Sequence, residues 1–275
     1  MPVNDDLGKR MKEFYEQIPK TRLMRRTPVA IRIDGKAFHT FTRGFNKPFD
    51  EILIKSMQET TKYLCENIQG CVLGYTQSDE ITLILVDYKE LNSSAWFDYE
   101  VQKMCSIVAS MATMKFNNVF ARHVQEWCDD FYESWNRTEE DDKYCDVLLR
   151  AVDKGAMFDA RVFNIPKEEV TNLVYWRQLD ATRNSIQMVG QANFSHNELH
   201  GKSCNDIQDM LFTQKGINWN DYPTYMKRGS CVVQKWDATE DELGTPHVRK
   251  KWTIDLDIPI FKEEGRKYVE QLIHF

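Results

Sequence analysis

No Cys-x-x-Cys pair, long apolar span, internal repeat or low-complexity linker interrupts this sequence of 275 residues. Without paired cysteine spacing, sulfur-held metal clusters are not expected, and an odd count of seven cysteines points to reduced thiols rather than a disulfide framework. The lack of any run of about 20 apolar residues excludes a helical membrane span, and the N-terminal stretch has no secretory signal pattern, so a cytoplasmic protein is expected. Basic excess is missing as well. A formal charge of −6 speaks against a protein that coats nucleic acid, since Lys and Arg carry phosphate binding.

The average conceals a separation. Residues 1–48 hold eleven basic side chains against five acids, whereas residues 125–146 hold nine acids against two bases. Such segregation suits one surface that meets a polyanion and another that does not, although two solvated faces of opposite sign would read the same way. With 42% hydrophobic residues the chain can bury a full core.

Apolar periodicity orders the elements. Strands are expected at Val29 to Asp34, Cys71 to Tyr75, Ile81 to Val86 and Phe158 to Phe163, with helices at Asp50 to Glu66 and Ala95 to about Phe120. The order βαββαβ predicts an α+β, ferredoxin-like sheet in which the first and second strands run parallel with the third between them. Between Ala121 and Met157 a short amphipathic helix and an acidic solvated loop are expected. Beyond Pro166 come helical segments, including Ser203 to Phe212, and a terminal hairpin from Gly229 to Trp236 and Lys251 to Asp255. We therefore expect residues 1–165 to form one part with a basic N-terminal segment, and residues 166–275 a C-terminal part packed on it; the resemblance given below implies that the first is the palm-like catalytic domain.

That topology brings two carboxylates together. Asp34 ends the first strand, before Gly35, and Asp79 lies in the turn between the second and third; they read as a two-metal site suited to Mg²⁺, with Glu80 in a supporting role. Both could equally be turn residues favoured for Asx hydrogen bonds. Lys36 and Lys47 lie in a connection able to fold over a triphosphate or simply to be solvated, and Ser78 could donate to a phosphate or cap its turn. His196 and His200 stand four residues apart with Cys204 beyond, but the H-E-x-x-H order is absent and Gly201 is expected to break the helix, which leaves zinc unsupported. Trp176-Arg177 and Lys250-Lys251-Trp252 could stack nucleotides or serve as core aromatics with snorkelling neighbours.

Five motifs in order, Arg32-Ile-Asp-Gly-Lys-Ala-Phe-His39, Tyr75-Thr-Gln-Ser-Asp-Glu80, Phe158-Asp-Ala-Arg-Val162, Tyr175-Trp-Arg-Gln178 and Met226-Lys-Arg-Gly229, resemble the histidine-tRNA guanylyltransferase family. The resemblance implies a polymerase-like palm working in reverse, in which the 3′-hydroxyl of a nucleoside triphosphate attacks a 5′ end of RNA activated by a triphosphate or by adenylylation with ATP. It implies that Asp34, Asp79 and the Gly35 carbonyl hold two Mg²⁺ ions and that Glu80 completes the acidic cluster. Arg32, Lys36, Lys47, Ser78 and Lys103 are then expected near nucleotide or phosphate, and Arg25, Arg26, Trp176, Arg177, Asn184, Lys227 and Arg228 near RNA. ATP or GTP as substrate, tRNA as partner, no membrane, and a homotetramer follow from the same resemblance.

Departures from the eukaryotic pattern carry information. Where those members have His-Ile-Asn-Asn-Leu-Tyr-Asn, this chain has Thr182-Arg-Asn-Ser-Ile-Gln-Met188 and keeps only Asn184. Tyr99 and Glu100 replace basic residues ahead of Lys103. The chain is instead similar to the bacterial and archaeal branch, which implies templated repair of 5′-truncated tRNA, with Watson–Crick pairing supplying the specificity. The other readings are non-templated G addition to histidine tRNA, a palm-type nucleotide cyclase or 5′-adenylylating enzyme, and a non-catalytic RNA-binding module.

Overall fold

A computed structural model describes residues 6–133, 138–240 and 246–274. Strand β1 (Val29–Gly35) alternates, as its sequence predicts: Val29, Ile31 and Ile33 enter one core, while Ala30 enters another across the sheet. Strands β2 (Cys71–Gln77) and β3 (Glu80–Leu85) form a hairpin, and β4 (Phe158–Asn164) pairs with the free side of β1. The strand order is β4-β1-β3-β2-β5-β6 with antiparallel neighbours throughout, so β1 and β2 run parallel with β3 between them, as expected. The hairpin of β5 (Ser230–Glu240) and β6 (Pro246–Asp255) extends this same sheet through β2.

Helices cover both faces. A short α1 (Asp6–Met11) lies at the N-terminus and a one-turn α2 (Phe38–Phe41) follows β1. Helix α3 (Glu51–Asn67) is capped by Asp50, whose carboxylate accepts from Leu53 N (2.9 Å) and also from the Tyr144 hydroxyl (2.6 Å). It packs with α4 (Val101–Glu133) on the face of Ile31 and Ile33. Helix α6 (Lys167–Asn193) covers the opposite face, where Val170 and Val174 meet Ala30, Leu73 and Tyr75. Residues expected to form a C-terminal part thus complete the sheet and its second core. Helices α7 (His196–Leu199), α8 (Cys204–Lys215) and α9 (Thr224–Arg228) follow α6, and Ile207 and Leu211 of α8 pack on its Ile186 and Val189. Near the C-terminus, α10 (Lys267–Ile273) joins the second core.

Two expectations are corrected. The long helix begins at Val101, after a 3₁₀ turn over Trp96–Tyr99 in which Phe97, Asp98 and Tyr99 all take left-handed φ angles, and it continues to Glu133. It does not stop near Phe120 because Phe116, Phe120, Val124 and Cys128 keep one buried face at a spacing of four. The acidic stretch expected as a solvated loop is the first turn of α5 (Glu139–Lys154). Thr138 and Asp141 form a reciprocal cap there, and four acids beside the positive end of the helix dipole are favourable. Among the described residues no helix is long and apolar enough to cross a membrane.

Candidate active site

Strand β1 and the β2–β3 turn meet at one end of the sheet. Asp34 lies directly across from Glu80, and Gly35 N donates to the Asp79 carbonyl (3.1 Å), which fixes the Asp34-Gly35 step against the Ser78-Asp79 turn. Gly35 is required there, since a Cβ would lie 2.2 Å from the Phe38 ring. The Ser78 hydroxyl donates to the Asp79 carboxylate (3.0 Å), and Ser78 itself has φ 49°. Burial pushes the Asp79 carboxyl above its ordinary value; its own backbone N–H and Ser78 oppose the shift, and the nearby charges of Asp34 and Glu80 add to it. A carboxylate in this position is improved by a cation.

Asp79 and Gly35 line a pocket of about 510 Å³ whose walls include His39, Asn46, Lys47, Ser78, Met188 and Gln191, a size suited to a nucleotide. Asp79 and Gly35 border this pocket and Asp34 precedes Gly35 on β1; two carboxylates and a backbone carbonyl are hard oxygen donors of the kind that Mg²⁺ takes. No hydrogen-bond or ion-pair partner of the Asp34 side chain occurs among the described residues, nor does a group of three or more His, Cys, Asp or Glu able to hold a metal ion.

Glu80, expected to complete the acidic cluster, turns elsewhere. Both its oxygens are taken by Arg177, Nε at 2.6 Å and Nη2 at 2.8 Å, and Arg32 Nη2 adds a contact of 2.9 Å. Arg177 and Glu80 are buried, so this is an interior ion pair fastening α6 to β3 beside the site. Arg177 is thereby committed to protein and not open to RNA. Arg25 and Arg26 differ from Arg177 in staying exposed: Arg25 pairs with Asp87 (2.7 Å) and Asp98 (3.0 Å), and the Arg26 guanidinium donates to the Glu90 and Leu91 carbonyls (both 3.3 Å).

The remaining expected residues divide by place. Asn184 reaches a small cleft with Ser78 and Met188, whereas Lys36 is exposed with its backbone N–H bonded to the Met157 carbonyl (2.8 Å). Lys227 is buried and donates to the Asn220 carbonyl, and burial pulls its ammonium below the usual lysine range. Arg228 stands 5.8 Å from the Trp219 ring, and its carbonyl accepts from the Tyr75 hydroxyl. Trp176 is half exposed over Arg32. Lys103 is not brought to the pocket: it sits near the start of α4 over Phe97 (4.7 Å), roughly 15 Å along the helix from Thr113, the residue level with Phe158 and Gly35.

Sequence reasoning passed over His39, Asn46, Met188 and Gln191 as pocket walls. A signal was present for the last two: Asn184, Met188 and Gln191, at i, i+4 and i+7, share one face of α6.

Comparison with known proteins bears on this geometry. The family model described as Thg1, tRNAHis guanylyltransferase, matches residues 8–166. The chain belongs to this family. Within the guanylyltransferase family it is similar to a bacterial tRNA(His) guanylyltransferase-like protein in complex with ATP, at 40% identity and a TM-score of 0.79, over 98% of this chain and 99% of that one. A bacterial guanylyltransferase-like protein in complex with GTP is 37% identical, with a TM-score of 0.76 over 98% and 100% of the two chains. The tRNA(His) guanylyltransferase of Schizosaccharomyces pombe is 25% identical over 280 residues, 94% of this chain and 95% of that protein. The protein is accordingly a guanylyltransferase-like nucleotidyltransferase.

Proposed function

We propose that the chain is a Mg²⁺-dependent, template-directed 3′-to-5′ nucleotidyltransferase that extends the 5′ end of truncated tRNA, the 3′-hydroxyl of a nucleoside triphosphate attacking an activated 5′ end. The observation that carries this reading is the meeting of Asp34 and Asp79 at one sheet end, beside a pocket walled by Lys47 and Ser78. Two Mg²⁺ ions, held by Asp34, Asp79 and the Gly35 carbonyl, would supply charge neutralisation and activation of the hydroxyl. The chain's own side chains align the reactants: Lys47 offers a cation to the triphosphate, the Ser78 hydroxyl offers a donor, and the buried Arg177–Glu80 pair keeps α6 fixed against the turn. ATP and GTP are the expected substrates, supported by the nucleotides bound to the two bacterial neighbours. The lost His run at Thr182 to Met188, together with higher identity to bacterial proteins, supports templated repair. A homotetramer and a cytoplasmic location belong to the same proposal.

A second reading, non-templated G addition to histidine tRNA, is favoured by the names of relatives such as that of S. pombe. One assay separates the two. A tRNA lacking its first 5′ nucleotide and carrying a 5′-triphosphate is incubated with Mg²⁺ and all four triphosphates, and product length and added base are resolved. Addition of only the complementary base supports repair, and G addition restricted to histidine tRNA supports the second reading. Asp79→Ala is expected to abolish addition while leaving the fold intact; a folded variant with full activity would refute the metal assignment.

A further inference from the structure

Helices α4 and α5 meet along a narrow seam. In α5, Tyr144, Cys145, Leu148 and Ala151 are buried, a single stripe on a helix otherwise rich in charge. Within that seam the sulfurs of Cys128, on α4, and Cys145 stand 2.7 Å apart, although 17 residues separate them in the chain. Both residues are buried, at 3% and 1% exposure. A disulfide spans about 2.0 Å, so the two sulfurs lie within about 1 Å of bonding distance.

The seam is tied to the pocket. Tyr144, next to Cys145, packs edge-on against Trp127, next to Cys128, with ring centres 4.9 Å apart, and its hydroxyl donates to Asp50 (2.6 Å). Asp50 lines the pocket, and its carboxylate also accepts from Asn46 N (3.1 Å), which ties down the stretch that carries Lys47. Cys65 has a thiol neighbour as well, Cys71 at the turn from α3 into β2, but that thiol donates to the Leu73 carbonyl (3.6 Å).

We infer that Cys128 and Cys145 are a site of reversible thiol oxidation, at which a peroxide converts the pair to a disulfide that pins α5 to α4 and holds Tyr144 on Asp50. With hydrogen peroxide, one sulfur attacks an oxygen, the O–O bond breaks, a sulfenic acid forms and one water leaves. The second thiol then attacks that sulfur, the S–O bond breaks, the S–S bond forms and a second water leaves. Two thiols and one peroxide thus give one disulfide and two waters. Burial and the neighbouring thiol push the Cys128 thiol up to about 12, so it stays protonated and unreactive while the seam is closed. Peroxide reaches it when α5 lifts, and reclosure of the seam returns the second sulfur to the oxidised one.

The reduced full chain is treated with hydrogen peroxide, in buffer and in urea below the unfolding transition. Remaining thiols are alkylated, and the digest is mapped by mass spectrometry without reductant. A crosslink between the peptides holding Cys128 and Cys145, removed by dithiothreitol and formed faster in urea, is expected. The oxidised protein should melt roughly 6–12 °C above the reduced one, as closure of a loop of this length implies, and exchange of the Asn46 amide hydrogen should slow. Cys128→Ala should show neither change on peroxide treatment. If that variant does not fold, the wild-type peptide map and amide exchange still decide. Peroxide that leaves the pair as thiols in both conditions overturns the inference, and so does a crosslink of Cys65 with Cys71 in its place. A Cys128–Cys145 crosslink with unchanged melting and unchanged Asn46 exchange overturns the pinning of α5 and its tie to the pocket. Neither readout requires transferase activity, so failure here is distinct from failure of the transferase reading.

Discussion

Removing Arg177 should destabilise the protein far more than removing both members of its ion pair. In Arg177→Ala the Glu80 carboxylate, 5% exposed, keeps only its contact with Arg32 at 2.9 Å. Breaking a buried pair from one side costs about 3–5 kcal/mol, because the remaining charge is left uncompensated. The surviving Arg32 contact places the expected loss near 3 kcal/mol. For a chain of this size about 2–4 °C of melting temperature goes with each kcal/mol, so the midpoint should fall by roughly 6–12 °C. The double variant Glu80→Gln with Arg177→Met removes both charges and keeps most of the volume, and should recover about half of that loss. Calorimetry or circular dichroism at pH 7.5 without nucleotide reads all three proteins. A single variant melting within about 2 °C of wild type, or a double variant less stable than the single, would refute the argument that this pair fastens α6 to β3.

Asp79→Asn tests the carboxylate pair without activity as the only readout. Because burial holds the Asp79 carboxyl above its ordinary value, the folded state keeps this proton better than the unfolded chain. The associated stability is present below about pH 4 and is lost as pH rises through the folded value. Without metal at pH 7 the Asn variant should therefore melt higher than wild type, and added Mg²⁺ should raise the wild type only; equal Mg²⁺ gains would sink the pairing. Gly229→Ala should lose about 2 kcal/mol or more in urea denaturation, since φ is 78° and a Cβ would meet the Thr76 carbonyl at 2.4 Å. Gly216→Ala, with φ 68° but nothing within 4 Å, should lose only about 1 kcal/mol, and equal losses would contradict the steric account. Tyr144→Phe should cost about 1–2 kcal/mol by removing the hydroxyl donated to Asp50, measured as a lower urea midpoint at unchanged m value.

Much of the candidate site was legible because it depends on strand order. Asp34 at the end of β1 and Asp79 in the next hairpin turn meet in any sheet of this topology, whatever the side-chain packing. Lys47 could be read as a candidate for the pocket but not placed, since its exposure depends on how residues after α2 cross to α3. That Arg177 is committed to Glu80, and that the exposed Arg25 pairs with Asp87 and Asp98, could not be read because charge in a sequence carries no sign of its partner. Asp87, Asp98 and Glu80 lie 62, 73 and 97 residues from the arginines they bind. Lys103 lies outside the pocket because it stands ten residues, about 15 Å, along α4 from Thr113, the residue level with Gly35.

The acidic run from Glu139 to Asp142 marks the limit of composition as a guide. Four acids read as a solvated loop until the Thr138 cap and the helix dipole are both counted, and these are features of local sequence that charge alone obscures. Local sequence determined the alternating strand faces, the caps at Asp50, Ser195 and Ser203, and the glycines that permit turns, because these depend on neighbours a few residues away. Tertiary structure alone decided which arginines are spent inside the fold, that Arg32 lies across from Arg161, and that Trp176 remains in solvent beside them. Those are consequences of register and packing, set by contacts between residues distant in the chain.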